Sequence, residues 1–199
     1  TTASYNTALG KDAAGATTTG HSNTAIGRYS LLTNTTGSYN TGLGRDALRY
    51  TTTADNNTGI GFAALQANTT GASNVAVGKS ALESNTTAAN NTAVGFESLV
   101  SNTTGTAGTA LGKSALAANT TGTDNTGLGA LALLSTTTGS NNVAVGRSAL
   151  QANTTGASNT AVGYQALYAN TTGTRLTAIG YQALGSSTTG NYNAAGGWK

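Results

Sequence analysis

One glycine recurs at a strict interval of 17 residues along the whole chain. The phrase Asn-Thr-Ala-Leu-Gly, or a close variant, ends at each of twelve such glycines without an insertion or a deletion. These repeat glycines are Gly10, Gly27, Gly44, Gly61, Gly78, Gly95, Gly112, Gly129, Gly146, Gly163, Gly180 and Gly197. So strict a phase requires each copy to occupy an equivalent place in space.

The length and composition of the repeat unit select its architecture. A unit of 17 residues is too short for a pair of helices, and Thr, Asn and Gly are poor helix formers. Short Thr- and Val-containing segments bounded by Gly and Asn are typical of strands joined by tight corners. We therefore predict an all-β fold, a parallel β-solenoid of twelve 17-residue coils in which residues 1–199 form a single repeat domain. At strand spacing such a rod is about 55–60 Å long.

The composition does not suit a conventional globule. Charged residues make up 8% of the chain, where about a quarter is usual, and large aliphatic residues are scarce. Disordered chains usually carry high net charge and proline, whereas this chain has a net charge of +3 and no proline. We expect ladders of stacked Asn and Thr side chains at the corners to supply the stability that a larger hydrophobic core would otherwise provide.

Alternation along each strand predicts which side chains share a face. We assign to the interior the residue before each repeat glycine and the leucine four residues after it. The strand-centre residue, always Ala or Gly, is then expected to face outward, where its small size indicates either close packing against another chain or a cramped corner. Of the two adjacent threonines in each coil, one is expected to face in and one out.

A column of mostly basic and aromatic residues follows the repeat glycines directly. We call it the cation–aromatic stripe: Lys11, Arg28, Arg45, Phe62, Lys79, Phe96, Lys113, Ala130, Arg147, Tyr164, Tyr181 and Trp198. Such a stripe is suited to gripping glycans or anionic polymers, and cation–π contacts within it would also hold neighbouring coils together. Alternatively, it is a soluble edge that blocks sideways pairing of sheets.

Nine Asn-x-Thr sequons occur, at Asn34, Asn56, Asn68, Asn85, Asn90, Asn102, Asn119, Asn153 and Asn170. Seven of them are candidate glycosylation sites in one repeat column, all except Asn56 and Asn90. An Asn ladder explains most of them without any sugar.

The residue inventory argues against several function classes. The chain has no cysteine and a single histidine, His21, and its six acidic residues are scattered over different repeat positions. We therefore expect no enzymatic activity, no cofactor and no metal site. Nine basic residues are too few for a strong nucleic-acid surface. The longest apolar run, residues 130–134, is too short for membrane insertion.

The repeat phrases resemble those of a known class of surface proteins. The segment 142–150, Asn-Val-Ala-Val-Gly-Arg-Ser-Ala-Leu, resembles the head repeats of trimeric autotransporter adhesins. The segment 159–173 is similar to repeats of bacterial and phage tail-fibre-like proteins, which often precede an endosialidase-type chaperone domain. The resemblance implies a left-handed parallel β-roll, trimeric in the adhesins, displayed at a cell or virion surface. The period here is longer than that of the usual adhesin-head repeat.

These observations favour a structural, extracellular fibre or filament segment that self-assembles as a homotrimer or end to end. The lack of an initiator Met indicates a processed chain or a piece of a longer one. One alternative is a glycan-binding adhesin or a phage tail-fibre shaft. A second is an ice-binding β-solenoid. The alternation of side chains along a strand weakens that second alternative. It directs only one threonine of each adjacent pair outward, and it assigns the threonine before the strand-centre residue to the interior.

Overall fold

The computed structural model describes residues 2–198, and it confirms the predicted all-β parallel solenoid. Twelve three-residue strands form one parallel sheet in chain order, in about eleven turns, and no helix occurs within residues 2–198. The strands are β1 Thr7–Leu9, β2 Thr24–Ile26, β3 Thr41–Leu43, β4 Thr58–Ile60, β5 Val75–Val77, β6 Thr92–Val94, β7 Thr109–Leu111, β8 Thr126–Leu128, β9 Val143–Val145, β10 Thr160–Val162, β11 Thr177–Ile179 and β12 Ala194–Gly196.

Main-chain hydrogen bonds join each coil to the next in a constant register. Each strand residue pairs with its counterpart 17 positions away, as Thr92 does with Thr109. The bonds continue outside the strands, where the Leu65 N–H donates to the Ala81 carbonyl at 3.0 Å and the Thr69 N–H donates to the Thr86 carbonyl at 2.9 Å. An insertion in any coil would break this register around the whole cross-section.

The repeat glycines lie where consecutive coils come very close together. All twelve have φ between +104° and +140°, a region that side chains rarely adopt. A Cβ built on Gly95 would lie 2.5 Å from the Gly112 carbonyl oxygen, well inside contact distance. Both the backbone angle and the close approach therefore require glycine, which explains the absence of exceptions in this column.

The strand-centre residues face the interior, so our assignment of strand faces was wrong. Ala76, Ala93 and Ala144 have no exposed surface, whereas Leu9 is 67% exposed and Leu111 is 49% exposed. The interior is too narrow for a strand-centre side chain larger than that of alanine, because a Cβ on Gly127 would already contact the Leu116 side chain at 3.5 Å. The small side chains thus reflect a cramped interior. The residues that were expected inside, one before each repeat glycine, lie on the outer face.

The leucine column four residues after the repeat glycine is confirmed as the core. Its members from the second to the tenth coil are fully buried, and they are Leu31, Leu48, Leu65, Leu82, Leu99, Leu116, Leu133, Leu150 and Leu167. They have left-handed backbone angles, with φ between 50° and 54°. Such a conformation costs an L-residue roughly 1–2 kcal/mol, while burying a leucine side chain contributes roughly 1.5–3 kcal/mol. Burial outweighs the strain.

Two ladders of buried asparagines are confirmed at the corners. In the column that precedes the strands, the Asn57 side-chain oxygen accepts the Asn74 N–H at 2.9 Å, and the Asn57 Nδ2 donates to the Gly71 carbonyl at 2.9 Å. In the column that precedes the paired threonines, the Asn85 Nδ2 donates to the Asn68 Oδ1 at 2.9 Å. Most of the buried amides are thereby satisfied, by the next amide of the stack or by a neighbouring main-chain carbonyl.

The paired threonines differ in burial in the expected sense, although neither is fully buried in the inner coils. In the inner coils the first of each pair is half-buried and the second is exposed, as for Thr69 and Thr70. The first hydroxyl donates to the counterpart carbonyl of the next coil, as from Thr35 to Thr52 at 3.0 Å. This ladder of threonine hydroxyls lies at the edge of the core, and its hydrogen bonds join consecutive coils.

The asparagine ladder is interrupted where threonine replaces asparagine, and this predicts a gain in stability. Opposite Thr51 and Thr136, the buried Asn34 Oδ1 and Asn119 Oδ1 have no hydrogen-bond partner within the described residues. We expect Thr51→Asn and Thr136→Asn each to raise the free energy of unfolding by about 1 kcal/mol, because the new amide would donate to the orphaned oxygen. Urea denaturation measures this, with the exposed Thr53→Asn as a control that should change little. A loss of stability would contradict the ladder.

The repeat glycine predicts a sharp contrast between two Gly→Ala substitutions. We expect Gly95→Ala to lower the free energy of unfolding by at least about 2 kcal/mol, through unfavourable φ and collision with the Gly112 carbonyl. Gly127→Ala should change it by less than about 1 kcal/mol, because alanine fills this column in other coils and its nearest neighbour would be at 3.4 Å. Equal losses of stability in urea denaturation would contradict the claim that the repeat-glycine column requires glycine.

Candidate functional site

The cation–aromatic stripe contains two groups of cation–π contacts in its middle section. The Arg45 Cζ lies 5.5 Å from the centroid of the Phe62 ring. The Lys79 Nζ and the Lys113 Nζ lie 5.4 Å and 6.0 Å from the centroid of Phe96, which therefore sits between two cations. These distances are those of cation–π contacts, so neighbouring coils are linked along the stripe.

Towards the C-terminal end the stripe becomes an aromatic stack. The Arg147 Cζ lies 5.9 Å from the Tyr164 ring, which stacks on Tyr181 at 5.3 Å with an interplanar angle of 19°. Tyr181 in turn lies 5.0 Å from Trp198. Because these rings cover one another, the ring faces inside the stack are already in contact with other rings of the same chain.

At the other end, the stripe merges with a cluster that departs from the repeat. Arg28 is exposed and donates from Nη2 to the Tyr29 hydroxyl at 2.8 Å, which lowers the pKa of Tyr29 and raises that of Arg28. Arg49 lies over the same ring at 4.8 Å. The buried Asp46 carboxylate pairs with Arg45 at 3.0 Å and with Arg49 at 3.1 Å. Sequence reasoning missed Tyr29, Asp46 and Arg49 as partners, because each stands in a variable column.

The stripe residues lie where the sequence placed them, along one line at the surface. Of the predicted members, Tyr164 is half-buried and the others are exposed, from Lys11 to Trp198. Ala130 interrupts the line and is half-buried. The structure therefore brings the whole predicted set together as a single surface feature.

The outer face of the sheet is the second exposed surface, and its apolar column was expected inside. We call this column the outer aliphatic column: Leu9, Ile26, Leu43, Ile60, Val77, Val94, Leu111, Leu128, Val145, Val162 and Ile179. A Thr or Val column runs beside it on the same face, and Val75 and Val143 in that column are each 36% exposed. None of the twelve strands within residues 2–198 contains a charged residue. The signal that could have revealed this face is the invariably small strand-centre residue.

The seven candidate glycosylation sites belong to the buried asparagine ladder before the paired threonines. Asn34, Asn68, Asn85, Asn102, Asn119, Asn153 and Asn170 are at most 2% exposed, and their Nδ2 atoms donate hydrogen bonds in the ladder. Attaching a sugar there would require those bonds to break. The other two sequons, Asn56 and Asn90, are exposed.

The histidine and the carboxylates do not cluster in the part of the chain that the structure describes. His21 lies edge-on to Tyr39 at 4.9 Å, and its Nδ1 is 3.4 Å from the Ser22 Oγ. Residues 2–198 contain no group of three or more His, Asp or Glu side chains able to hold a metal ion. The same residues include no helix long and apolar enough to cross a membrane.

No family model, curated protein or solved structure matches this chain.

Proposed function

We propose that this protein is a structural rod segment of an extracellular fibre, at a cell or virion surface, and that identical copies associate side by side as a homotrimer. The observation that carries the proposal is the outer aliphatic column. Within it Leu9, Leu43, Leu111 and Ile179 are between 42% and 67% exposed in the single chain. Contiguous apolar surface of this kind marks an interaction site in a soluble protein.

The regular spacing of the column favours a second copy of the chain as its partner. Outward side chains recur at about 4.8 Å along the axis, because each strand adds one coil. Another copy carries the same repeat and can match the column along its whole length, whereas an unrelated surface would fall out of step. Identical chains also tend to form closed symmetric assemblies. Three copies is the number that the adhesin resemblance implies.

The construction of the solenoid supports a mechanical role. Successive coils are joined by the same main-chain bonds, the same asparagine ladders and the same hydroxyl ladder. Stability is then approximately a sum over coils and their interfaces, and coil number sets length. Such a rod can hold a surface at a fixed distance without a catalytic site.

Charges placed on the outer face should prevent the assembly. We expect the wild-type chain to sediment as a trimer and the triple variant Leu43→Lys, Leu111→Lys, Ile179→Lys to sediment as a monomer with an unchanged circular dichroism spectrum. The matched control, Ser73→Lys, Ala107→Lys, Ser158→Lys, adds the same charge at exposed positions in the column where Arg175 already stands. It should remain trimeric. A wild-type chain that is monomeric at all concentrations would overturn the proposal.

Ice binding is a second candidate, because the corrected strand orientation favours it. The threonines that were expected inside lie on the outer face beside the outer aliphatic column, as Thr92 and Thr177 do, and both are exposed. A second exposed column is formed by the later threonine of each pair. Ice binding predicts thermal hysteresis that disappears in the triple lysine variant of the outer face. Absence of hysteresis from concentrated wild-type protein would eliminate this candidate.

A further inference from the structure

In the middle of the cation–aromatic stripe, cations stand on every second coil. Arg45, Lys79, Lys113 and Arg147 are separated by two repeats each, and Phe62 and Phe96 occupy two of the coils between them. Two coils correspond to about 10 Å along the axis. The stripe therefore presents four positive charges in a straight line at a constant interval.

These charges are available to an external ligand. Lys79, Lys113 and Arg147 are exposed, and no ion pair to any of them occurs within residues 2–198. Only Arg45 among the four is paired, with Asp46. The residues that directly follow Lys79, Lys113 and Arg147 are the uncharged Ser80, Ser114 and Ser148. A carboxylate, Glu97, directly follows Phe96, and it makes no ion pair in the described part of the chain.

The phenylalanines between the cations add an apolar surface and hold the cations in place. Phe62 is 44% exposed and Phe96 is 39% exposed. The contacts of Arg45 with Phe62, and of Lys79 and Lys113 with Phe96, restrain these charged side chains before any ligand arrives. A site arranged in advance loses less conformational freedom when it binds. Alternating charge and apolar ring along a line complements a polymer that alternates acidic groups with C–H surfaces.

We infer that the stripe binds a linear acidic polysaccharide that carries one acidic sugar in each disaccharide and lies along the rod axis. In such a glycan the charge recurs at every second sugar, an interval comparable with two coils. A nucleic acid is a poorer match, because its phosphates follow one another at about 3.4 Å per strand. This inference goes beyond lateral assembly and uses different side chains, so either proposal can fail while the other stands.

The test measures binding of hyaluronan oligosaccharides, which have one carboxylate per disaccharide, by isothermal titration calorimetry at low ionic strength. Removing the charges with Lys79→Gln, Lys113→Gln and Arg147→Gln should weaken binding at least tenfold. Arg175→Gln, which removes a charge outside the stripe, should leave the affinity within about twofold of wild type. Rising salt should weaken wild-type binding, because the contacts are exposed charges.

A register swap separates spacing from charge. The double variant Phe96→Lys, Lys113→Phe keeps composition and net charge but moves one cation to the neighbouring coil. We expect it to bind hyaluronan at least fivefold more weakly than wild type, with an unchanged circular dichroism spectrum and the same sedimentation. The wild type should also prefer hyaluronan to oligogalacturonate, which has a carboxylate on every sugar, and to single-stranded oligothymidylate.

Three results would overturn the inference. They are absence of hyaluronan binding by the wild-type chain, equal affinity of the register-swap variant, and equal or tighter binding of oligogalacturonate or oligothymidylate. Sedimentation of the same samples shows whether the rods assemble, so a failure of lateral assembly is seen separately from a failure of glycan binding.

Discussion

The close approach of consecutive coils at the repeat glycines is the constraint on which the rest of the structure depends. At Gly95 the backbone takes a φ of +140°, and a Cβ there would lie 2.5 Å from the next glycine's carbonyl oxygen. No side chain fits, and any change in coil length would move the glycine away from its counterpart. The strict 17-residue phase follows, and the phase then aligns every other column, including the core leucines, the asparagine ladders and both exposed surfaces.

Within this register, polar ladders replace much of a conventional core. The interior of a coil is narrow, so that one leucine and small residues such as the strand-centre Ala or Gly fill it, and buried asparagines close the corners. An unpaired buried amide would be costly, but an amide whose stack is uninterrupted finds a partner in the adjacent coil. The same logic explains why a threonine in an asparagine column, as at Thr51, leaves an oxygen without a donor. Low hydrophobic content is therefore compatible with a regular solenoid over residues 2–198.

Much of the fold could be predicted from the sequence, because it depends on period alone. The parallel stacking, the leucine column, the asparagine ladders and the line of the cation–aromatic stripe all follow from residues that recur every 17 positions. The face of the strand could not be assigned in the same way. Alternation shows that Val143 and Val145 point the same way, but it does not show whether that way is inward. Space decides it, since Leu116 leaves room only for Ala or Gly opposite.

Two other features lay beyond sequence reasoning for different physical reasons. The buried leucines adopt left-handed backbone angles, which an L-residue disfavours on its own, and their burial in the coil offsets that cost. The contacts that join Tyr29, Asp46 and Arg49 depend on long side chains reaching between coils in columns without a consensus. Periodicity predicts positions that repeat, whereas these contacts occur once. Candidate binding residues in a repeat protein are therefore easier to find when they form a column.

The orientation of the strands leaves the outer aliphatic column free to meet a partner, and lateral assembly depends on it. Methyl nuclear Overhauser effects on selectively labelled protein test that orientation directly, whatever the state of assembly. Strand-centre Gly127 faces Leu116 of the preceding coil, and Ala144 and Leu133 hold the equivalent places one coil further on. We predict a strong effect between the Ala144 and Leu133 methyl groups and none between Val145 and Leu133. A strong effect from Val145 to Leu133, with Ala144 silent, would contradict the account.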